Sequence, residues 1–241
     1  MITLYDVGPA TNSTEISTSP HVRKIRYTLN YKGIPYKVSW VNLFNLEEIA
    51  KSVGAAPTGV RPDGAPKYTV PFIVDSSTGA VVSDSYRVAE YLDKAYPDTP
   101  RLIPEGTEGL QWAFGDGMLA KIIPIFGLVR PLLEKANDEL YAKGVEGVYG
   151  PLVPMSDEEK KAAWGVVKAT LDDISKYYKE GQVFLTGDKP IYADFSFIPI
   201  FFSVKVLFGS ESEEWKEMAS WNGGRWAKML DAVQYKSTEV V

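Results

Sequence analysis

The sequence predicts a chain in two parts, a small α/β domain followed by an all-helical one. Three observations carry this. Residues 1–41 read as strand, helix, strand. A hairpin and a second helix follow before residue 97. Beyond residue 106 every periodic segment has helical spacing. At 241 residues there is room for one large domain or two small ones. The stretch 98–106 is rich in proline and charge and lacks periodicity, so it marks the boundary between a domain over 1–97 and one over 106–241.

Residues 2–7 are the first strand, and 8–14 a polar loop that is long for a strand-to-helix connection. The first helix is announced by Ser17-Thr18-Ser19-Pro20-His21-Val22. Pro20 needs no backbone N–H partner and suits the first helical position, which leaves Ser19 at the N-cap. Val22, Ile25 and Leu29 follow at spacings of 3 and 4, and Gly33 marks the far end. A hydroxyl-rich helix N-terminus favours anions through its unpaired N–H groups and its dipole, although an ordinary capped helix would read the same way. Residues 35–41 alternate as a second strand, and strand–helix–strand at this spacing implies a parallel pair with a right-handed crossover. A short helix is predicted over 46–53, then an irregular insertion over 54–66 with three prolines and three glycines. A strand over 68–75, a turn over 76–79 and a returning strand over 80–82 form a hairpin. Ser83-Asp84-Ser85 opens the next helix, which Pro97 and Pro100 end.

In the second half, a long helical stretch over 110–136 is predicted to kink at Pro124 and Pro131, and 144–154 to be a loop. Ser156-Asp157-Glu158-Glu159 has the pattern of a capping box. Trp164, Val167, Leu171, Ile174 and Tyr178 then recur at helical spacing, and Gly181 closes the helix. Residues 193–207 are apolar all round and predict a buried central helix. Shorter helices are predicted over 213–220 and 225–233.

Composition excludes several function classes. A net charge of -5 supplies no basic footprint for nucleic acid or for an anionic membrane surface. No stretch reaches the length of apolar residues that a membrane span needs. No signal peptide precedes the first strand, so the sequon at Asn12 is read as loop and a cytoplasmic protein is expected. Cysteine is absent and His21 is the single histidine, so thiolate or multi-histidine metal sites and a Ser–His nucleophile find no residues, and no metal is expected. Any thiol chemistry must draw its sulfur from a ligand.

The βαβ unit, the strand beginning Val70-Pro71-Phe72-Ile73, the hairpin, the helix beginning Asp84-Ser85 and the all-helical second half together resemble the glutathione transferase family, over nearly the whole chain. The resemblance implies a thioredoxin-like first domain that binds glutathione as co-substrate, a helical second domain that contributes a hydrophobic substrate pocket, and a homodimer. It implies a cis proline at Pro71, with the backbone of Val70 offered to the cysteinyl part of glutathione, and Asp84-Ser85 holding the γ-glutamyl end. A helix N-terminus with a hydroxyl suits a carboxylate and a neighbouring carboxylate suits an ammonium. Lys67 and Tyr68 either meet the glycyl carboxylate or are a solvated lysine and a packing tyrosine. The family's catalytic cysteine or serine falls on Ser19, with Ser17 and Thr18 able to exchange with it in that role. A serine argues for conjugation or thiolysis rather than mixed-disulfide chemistry. The Ser-Pro-His-Val form and the long insertion are most similar to the fungal etherase-like, FuA-type transferases. One departure concerns Ile191-Tyr192-Ala193-Asp194, where the family places a capping Ser or Thr at the position of Ile191.

The implied chemistry is activation of the glutathione thiol, since only the thiolate attacks. A hydroxyl, backbone N–H groups and the helix dipole stabilise the anion, and no general base is needed. Trp112, Phe114, Met118, Ile122, Ile125 and Phe126, at or near i+4 spacing, either line an apolar pocket for an aromatic second ligand or pack the helical core. Three functions remain open at this level: an enzyme acting on aromatic electrophiles or aryl ethers, a ligandin-type carrier of aromatic or polyphenolic compounds, and a non-catalytic interaction module.

Overall fold

The computed structural model describes residues 1–8, 17, 19–61, 63–122, 124–136 and 139–240. The chain forms two compact units. One comprises Met1–Ile103, Asp138–Val148 and Tyr235–Val241; the other comprises Pro104–Asn137 and Tyr149–Gln234.

In the first unit, β1 (Ile2–Val7), α1 (Pro20–Lys32) and β2 (Tyr36–Val41) make the βαβ unit, with β1 and β2 parallel. After α2 (Leu46–Ser52) come β3 (Gly59–Val60) and β4 (Pro66–Lys67), then β5 (Phe72–Asp75), β6 (Ala80–Ser83) and α3 (Ser85–Ala95). The main sheet has the order β2-β1-β5-β6, with β5 antiparallel to both neighbours. Strand alternation divides the core between its faces. Tyr5 stacks on Phe72 at 4.3 Å in a cluster with Val41, Leu46, Ala50 and Ala55. Ile2 and Leu4 point the other way and are fully buried, as are Val22, Ile25 and Leu29 of α1 and Val88 and Leu92 of α3.

Two expectations for this unit are corrected. The strand predicted over 68–75 starts only at Phe72, because Pro71 has no N–H to pair; the Val70–Pro71 peptide is cis. The insertion is not wholly irregular: β3 and β4 pair antiparallel across it, Arg61 N–H donating to Ala65 O at 2.8 Å and Thr58 N–H to Lys67 O at 2.8 Å.

The chain's end also returns to this unit. Tyr36 N–H donates to Thr238 O at 3.2 Å and Val240 N–H to Tyr36 O at 2.7 Å, so the tail runs parallel to β2 along its outer edge. Thr238 adds hydrogen bonds to the Asn30 side chain and to Ile34 O.

The remaining helices are α4 (Glu108–Ile122), α5 (Pro124–Ala136), α6 (Glu139–Tyr149), α7 (Asp157–Ser175), α8 (Tyr192–Phe195), α9 (Ile198–Leu207) and α10 (Glu213–Ala232). Helix α6 occupies part of the segment predicted as loop. Its glycines read as breakers, yet Gly144 is where the helix lies against Leu43, whose Cβ would be 2.7 Å from a Cβ at residue 144. The predicted capping box at Ser156 forms, the Ser156 hydroxyl accepting from Glu159 N–H and Glu159 accepting from Ser156 N–H. Helix α7 nevertheless ends at Ser175, ahead of Gly181.

The apolar stretch 193–207 is two helices. Pro199, near the start of α9, has no N–H for a turn running through from α8. Around the break, Phe195, Phe197, Phe201 and Trp226 are all at most 1% exposed. Phe201 and Trp226 lie 5.3 Å apart and Phe197 and Phe201 5.9 Å. Ile191 has no acceptor for the α8 N-terminus. Gln111 of α4 supplies one: its Oε1 accepts Ala193 N–H at 3.0 Å, and its Nε2 is fixed on the Thr107 hydroxyl at 2.8 Å. Asp194 completes the cap, accepting Ile191 N–H and Leu185 N–H, both at 3.0 Å. Helix α10 is interrupted at residues 221–224, where Asn222, Gly223 and Gly224 have positive φ, in agreement with the two shorter helices predicted there.

Candidate functional site

Strand register brings the sequence motifs to one end of the sheet. Tyr5 pairs with Phe72 and Phe72 with Ser83. One residue further along each ladder, Asp6, Pro71 and Asp84 fall in a row, with Trp40 of β2 opposite Asp6. The backbone closes the row between Pro71 and Asp84, Asp84 N–H donating to Pro71 O at 3.2 Å. This is the end at which β1 runs out toward α1 and β6 turns into α3.

At the first of these turns Ser19 is the N-cap of α1, with extended backbone (φ -74, ψ 116). Its Oγ accepts Val22 N–H at 3.4 Å and its carbonyl accepts Arg23 N–H at 3.0 Å. Pro20 follows as the first helical residue, as predicted. A hydroxyl that accepts from the helix still has its own hydrogen to donate. Ser17 is 2% exposed, and Arg23 Nη2 donates to its carbonyl at 2.9 Å. Thr18 lies outside the described residues. His21, in the first turn, has its pKa lowered to about 3 by burial and by the Lys24 charge, so its imidazole is neutral at physiological pH.

The second turn is built by Asp84, whose φ of 78 is uncommon for a residue other than glycine. The conformation is held by its side chain, Oδ1 accepting the N–H groups of Tyr86 at 2.9 Å and Arg87 at 3.2 Å. Ser85 is the first residue of α3 and is buried.

Between the two turns lies the Val70–Pro71 peptide. Among the described residues, neither the N–H nor the carbonyl of Val70 has a hydrogen-bond partner. A residue just ahead of a strand, with both backbone groups open, is a ready partner for a short peptide. Just ahead, Lys67 in β4 makes no ion pair among the described residues, and Tyr68 packs on the Phe72 cluster with Lys51 Nζ 5.5 Å from its ring centre.

Buried polar groups that the sequence did not single out lie behind the Ser19 turn. Asp6 is wholly buried, and its Oδ2 accepts from Arg26 Nε at 3.2 Å. Burial pushes the Asp6 pKa up to about 6, against the pull of Arg26, the Ser17 hydroxyl and Arg23. The Ser17 hydroxyl is thus close enough to act on the carboxyl, although the two make no hydrogen bond of standard geometry. Arg26 Nη1 reaches Glu239 of the tail at 2.7 Å, and its guanidinium lies 5.4 Å from the centre of the Trp40 ring. Strand alternation was the available signal for Asp6, since it puts a charge at an inward-facing position.

The predicted apolar residues lie on α4 and α5. Trp112 is 39% exposed and donates Nε1–H to Asp116 Oδ2 at 3.0 Å. Phe114 is half-buried, 6.0 Å from Tyr177 and 6.4 Å from Phe197. Met118 and Ile125 are each 7% exposed and Phe126 is half-buried. The side chain of Ile122 lies outside what the structure describes.

A thioredoxin-like α/β domain with a helical second domain is the glutathione transferase fold. The sequence profile of the glutathione S-transferase N-terminal domain matches residues 18–95, and that of the C-terminal domain matches residues 111–235. The structure superposes on that of a glutathione S-transferase, CsGST63524, of Ceriporiopsis subvermispora in complex with glutathione. The TM-score is 0.86 and the identity 36%, covering 97% of this chain and 96% of that one. GSTFuA3 from Phanerochaete chrysosporium also matches with TM-score 0.86, at 33% identity over 98% of both chains. The glutathione S-transferase-like protein ustS of Aspergillus flavus is 29% identical over 249 residues, 95% of this chain and 88% of that protein. The chain belongs to the glutathione S-transferase family.

Proposed function

We propose that the protein is a serine-type glutathione transferase that activates the thiol of glutathione with the Ser19 hydroxyl and joins it to hydrophobic aromatic electrophiles or aryl ethers. The observation that carries the reading is the backbone of Val70, open among the described residues, beside the sheet-end row of Asp6, Pro71 and the α3 N-cap Asp84. Glutathione fits that row in one direction. Its cysteinyl amide pairs with Val70 beside Pro71, its γ-glutamyl carboxylate takes the α3 N-terminus at Ser85, and its ammonium takes Asp84. Its thiol then faces the N-cap of α1. Lys67 and Tyr68 are assigned to the glycyl carboxylate. The relative from Ceriporiopsis subvermispora was solved in complex with glutathione, which supports glutathione as co-substrate here.

Ser19 is preferred to Ser17 because its hydroxyl is only half-buried at the helix terminus, whereas Ser17 is turned into the protein beside Asp6. Donating to sulfur, Ser19 stabilises the thiolate with the helix dipole behind it. The thiol proton leaves to solvent, the sulfur pair forms a new S–C bond, and the halide or aryl oxide departs with the old bond pair. His21, neutral at working pH, is not the group that takes the thiol proton in this scheme.

The part of the predicted second domain (106–241) that forms the second unit is assigned the aromatic substrate, with Trp112 and Phe114 as the contacts that keep exposed surface. Met118 and Ile125 are buried and serve this pocket only as its floor. A homodimer in the cytoplasm accompanies the reading.

Substituting Ser19→Ala tests it. The ultraviolet absorbance of enzyme-bound thiolate, followed against pH, is expected to report a bound thiol pKa higher by about one unit or more. Turnover of an activated aryl halide at neutral pH is expected to fall at least tenfold, roughly the loss of one oxyanion donor. An unchanged thiol pKa would move the role away from Ser19. Retention of the wild-type protein on immobilised glutathione, without turnover of aryl halides or aryl ethers, would instead make it a carrier of aromatic compounds.

A further inference from the structure

The Ser19 hydroxyl has to be held still, and Val22 and Arg23 of α1, which bond to Ser19 and Ser17, are joined in this by groups from elsewhere in the chain. The Ser17 carbonyl takes Arg23 Nη2 at 2.9 Å. The Ser17 side chain is buried, and its hydroxyl bears on the carboxyl of Asp6 near the end of β1. Asp6 is gripped by Arg26 Nε at 3.2 Å, and the same guanidinium is gripped from its other side by Glu239 at 2.7 Å. Glu239 is held in its turn by the backbone, because Thr238 and Val240 on either side of it bond to Tyr36 at the open edge of β2. Arg26 therefore sits between a buried carboxylate under the serine segment and a carboxylate carried by the last residues of the chain. The two carboxylates belong to positions 6 and 239, so this device depends on the tail being docked.

We propose that the C-terminal tail is a strap, and that Glu239, acting through Arg26 and Asp6, is a positioning residue for Ser17, two positions ahead of the Ser19 hydroxyl that stabilises the thiolate. The inference rests on the Ser19 reading above. A guanidinium fixed at both ends keeps its orientation, whereas one held at a single end is free to swing. With Glu239 gone, Arg26 loses its shortest ion pair and tilts about its contacts with Asp6 and the Trp40 ring, Asp6 shifts with it, and the Ser17 hydroxyl loses its fixed partner. Displacements of this kind far from the chemistry are costly when the reacting group must lie within hydrogen-bond reach.

The test uses the full-length protein with Glu239→Gln, which keeps the size of the side chain and the backbone pairing to Tyr36 but removes the charge. A second variant ends at Ser237. Two quantities are measured. One is the pKa of enzyme-bound glutathione thiol by ultraviolet absorbance; the other is the affinity for S-methylglutathione, which fills the tripeptide site without a thiol. The strap predicts that Glu239→Gln raises the bound thiol pKa by about one unit while S-methylglutathione affinity stays within about twofold. The sign is diagnostic, because simple removal of a distant negative charge would lower a thiol pKa. A bound thiol pKa that Glu239→Gln leaves unchanged or lowers overturns the proposal, even if the truncation raises it. So does a parallel loss of S-methylglutathione affinity, which would make the tail a general support of the domain. The Ser19→Ala protein is measured alongside. If Ser19→Ala raises the thiol pKa and Glu239→Gln does not, the strap fails and the Ser19 reading stands. If Ser19→Ala leaves it unchanged, the Ser19 reading fails first and takes the strap with it.

Discussion

Asp75 shows how one residue can tie the sheet end opposite the site. Its side chain is buried, and it accepts hydrogen bonds from Tyr91 and Tyr96 at 2.7 Å each and from the Ser77 hydroxyl, with the N-terminal ammonium 3.9 Å away. Burial works against its charge, yet the donors from Ser77, Tyr91 and Tyr96 outweigh it and hold the pKa at about 2. A carboxyl held below its ordinary value stabilises the fold above pH ~4 and loses that contribution as pH falls toward ~2. Asp75→Asn is therefore expected to cost up to about 2 kcal/mol at neutral pH, with the difference from wild type shrinking below pH ~4, as read by urea unfolding at a series of pH values. A difference that stays constant with pH would show that the hydrogen bonds, not the charge, carry the effect. Asp6 has the opposite sign, since its raised pKa makes its carboxylate a liability as pH rises from ~4 to ~6. Residues of this kind were only partly legible in the sequence. Ser19 and Asp84 announced themselves because caps have local signatures, and both do cap their helices. Asp6, Arg26 and Glu239 did not, because their meaning lies in pairings across 20 and 213 residues of chain.

Elements were most legible where their signals were short-ranged. The βαβ unit, the hairpin, the capping box at Ser156 and the split in α10 follow from spacing and capping alone. The errors share one physical cause, a residue type whose usual local effect was overridden by packing or by proline. Gly144 is the clearest case. Helix α6 tolerates its glycine because a side chain there would meet Leu43 at 2.7 Å. Gly144→Ala would raise intrinsic helix propensity, yet it is expected to destabilise the first unit by roughly 1–3 kcal/mol through overpacking. Thermal unfolding of Gly144→Ala beside Gly144→Ala with Leu43→Gly, which removes the clashing Cβ, checks this: relative to Leu43→Gly alone, the Gly144→Ala loss should shrink if the clash is its source, and a stabilising Gly144→Ala would refute it. In the same way Gln111 supplies α8 with the acceptor that Ile191 lacks, a substitution between distant helices that no local pattern could announce.

At the scale of the molecule, the family architecture was legible because it is written in the order of elements rather than in any one motif. Strand, helix, strand, cis-proline strand, hairpin and helix, then helices only, is recovered in the structure, and the sequence profiles match along the same order. What lay beyond reach was the return of residues 138–148 and 235–241 to the first unit, for which nothing near them in sequence gives a reason. On the proposed reading, glutathione lies along the sheet-end row with its sulfur on the cap of α1. A crystal structure of the glutathione complex tests it most directly. That reading predicts the sulfur within hydrogen-bond reach of Ser19 Oγ, the cysteinyl amide paired with Val70 and the γ-glutamyl group at Asp84 and Ser85. A tripeptide bound with its sulfur away from Ser19, or away from the Val70 backbone altogether, would contradict it.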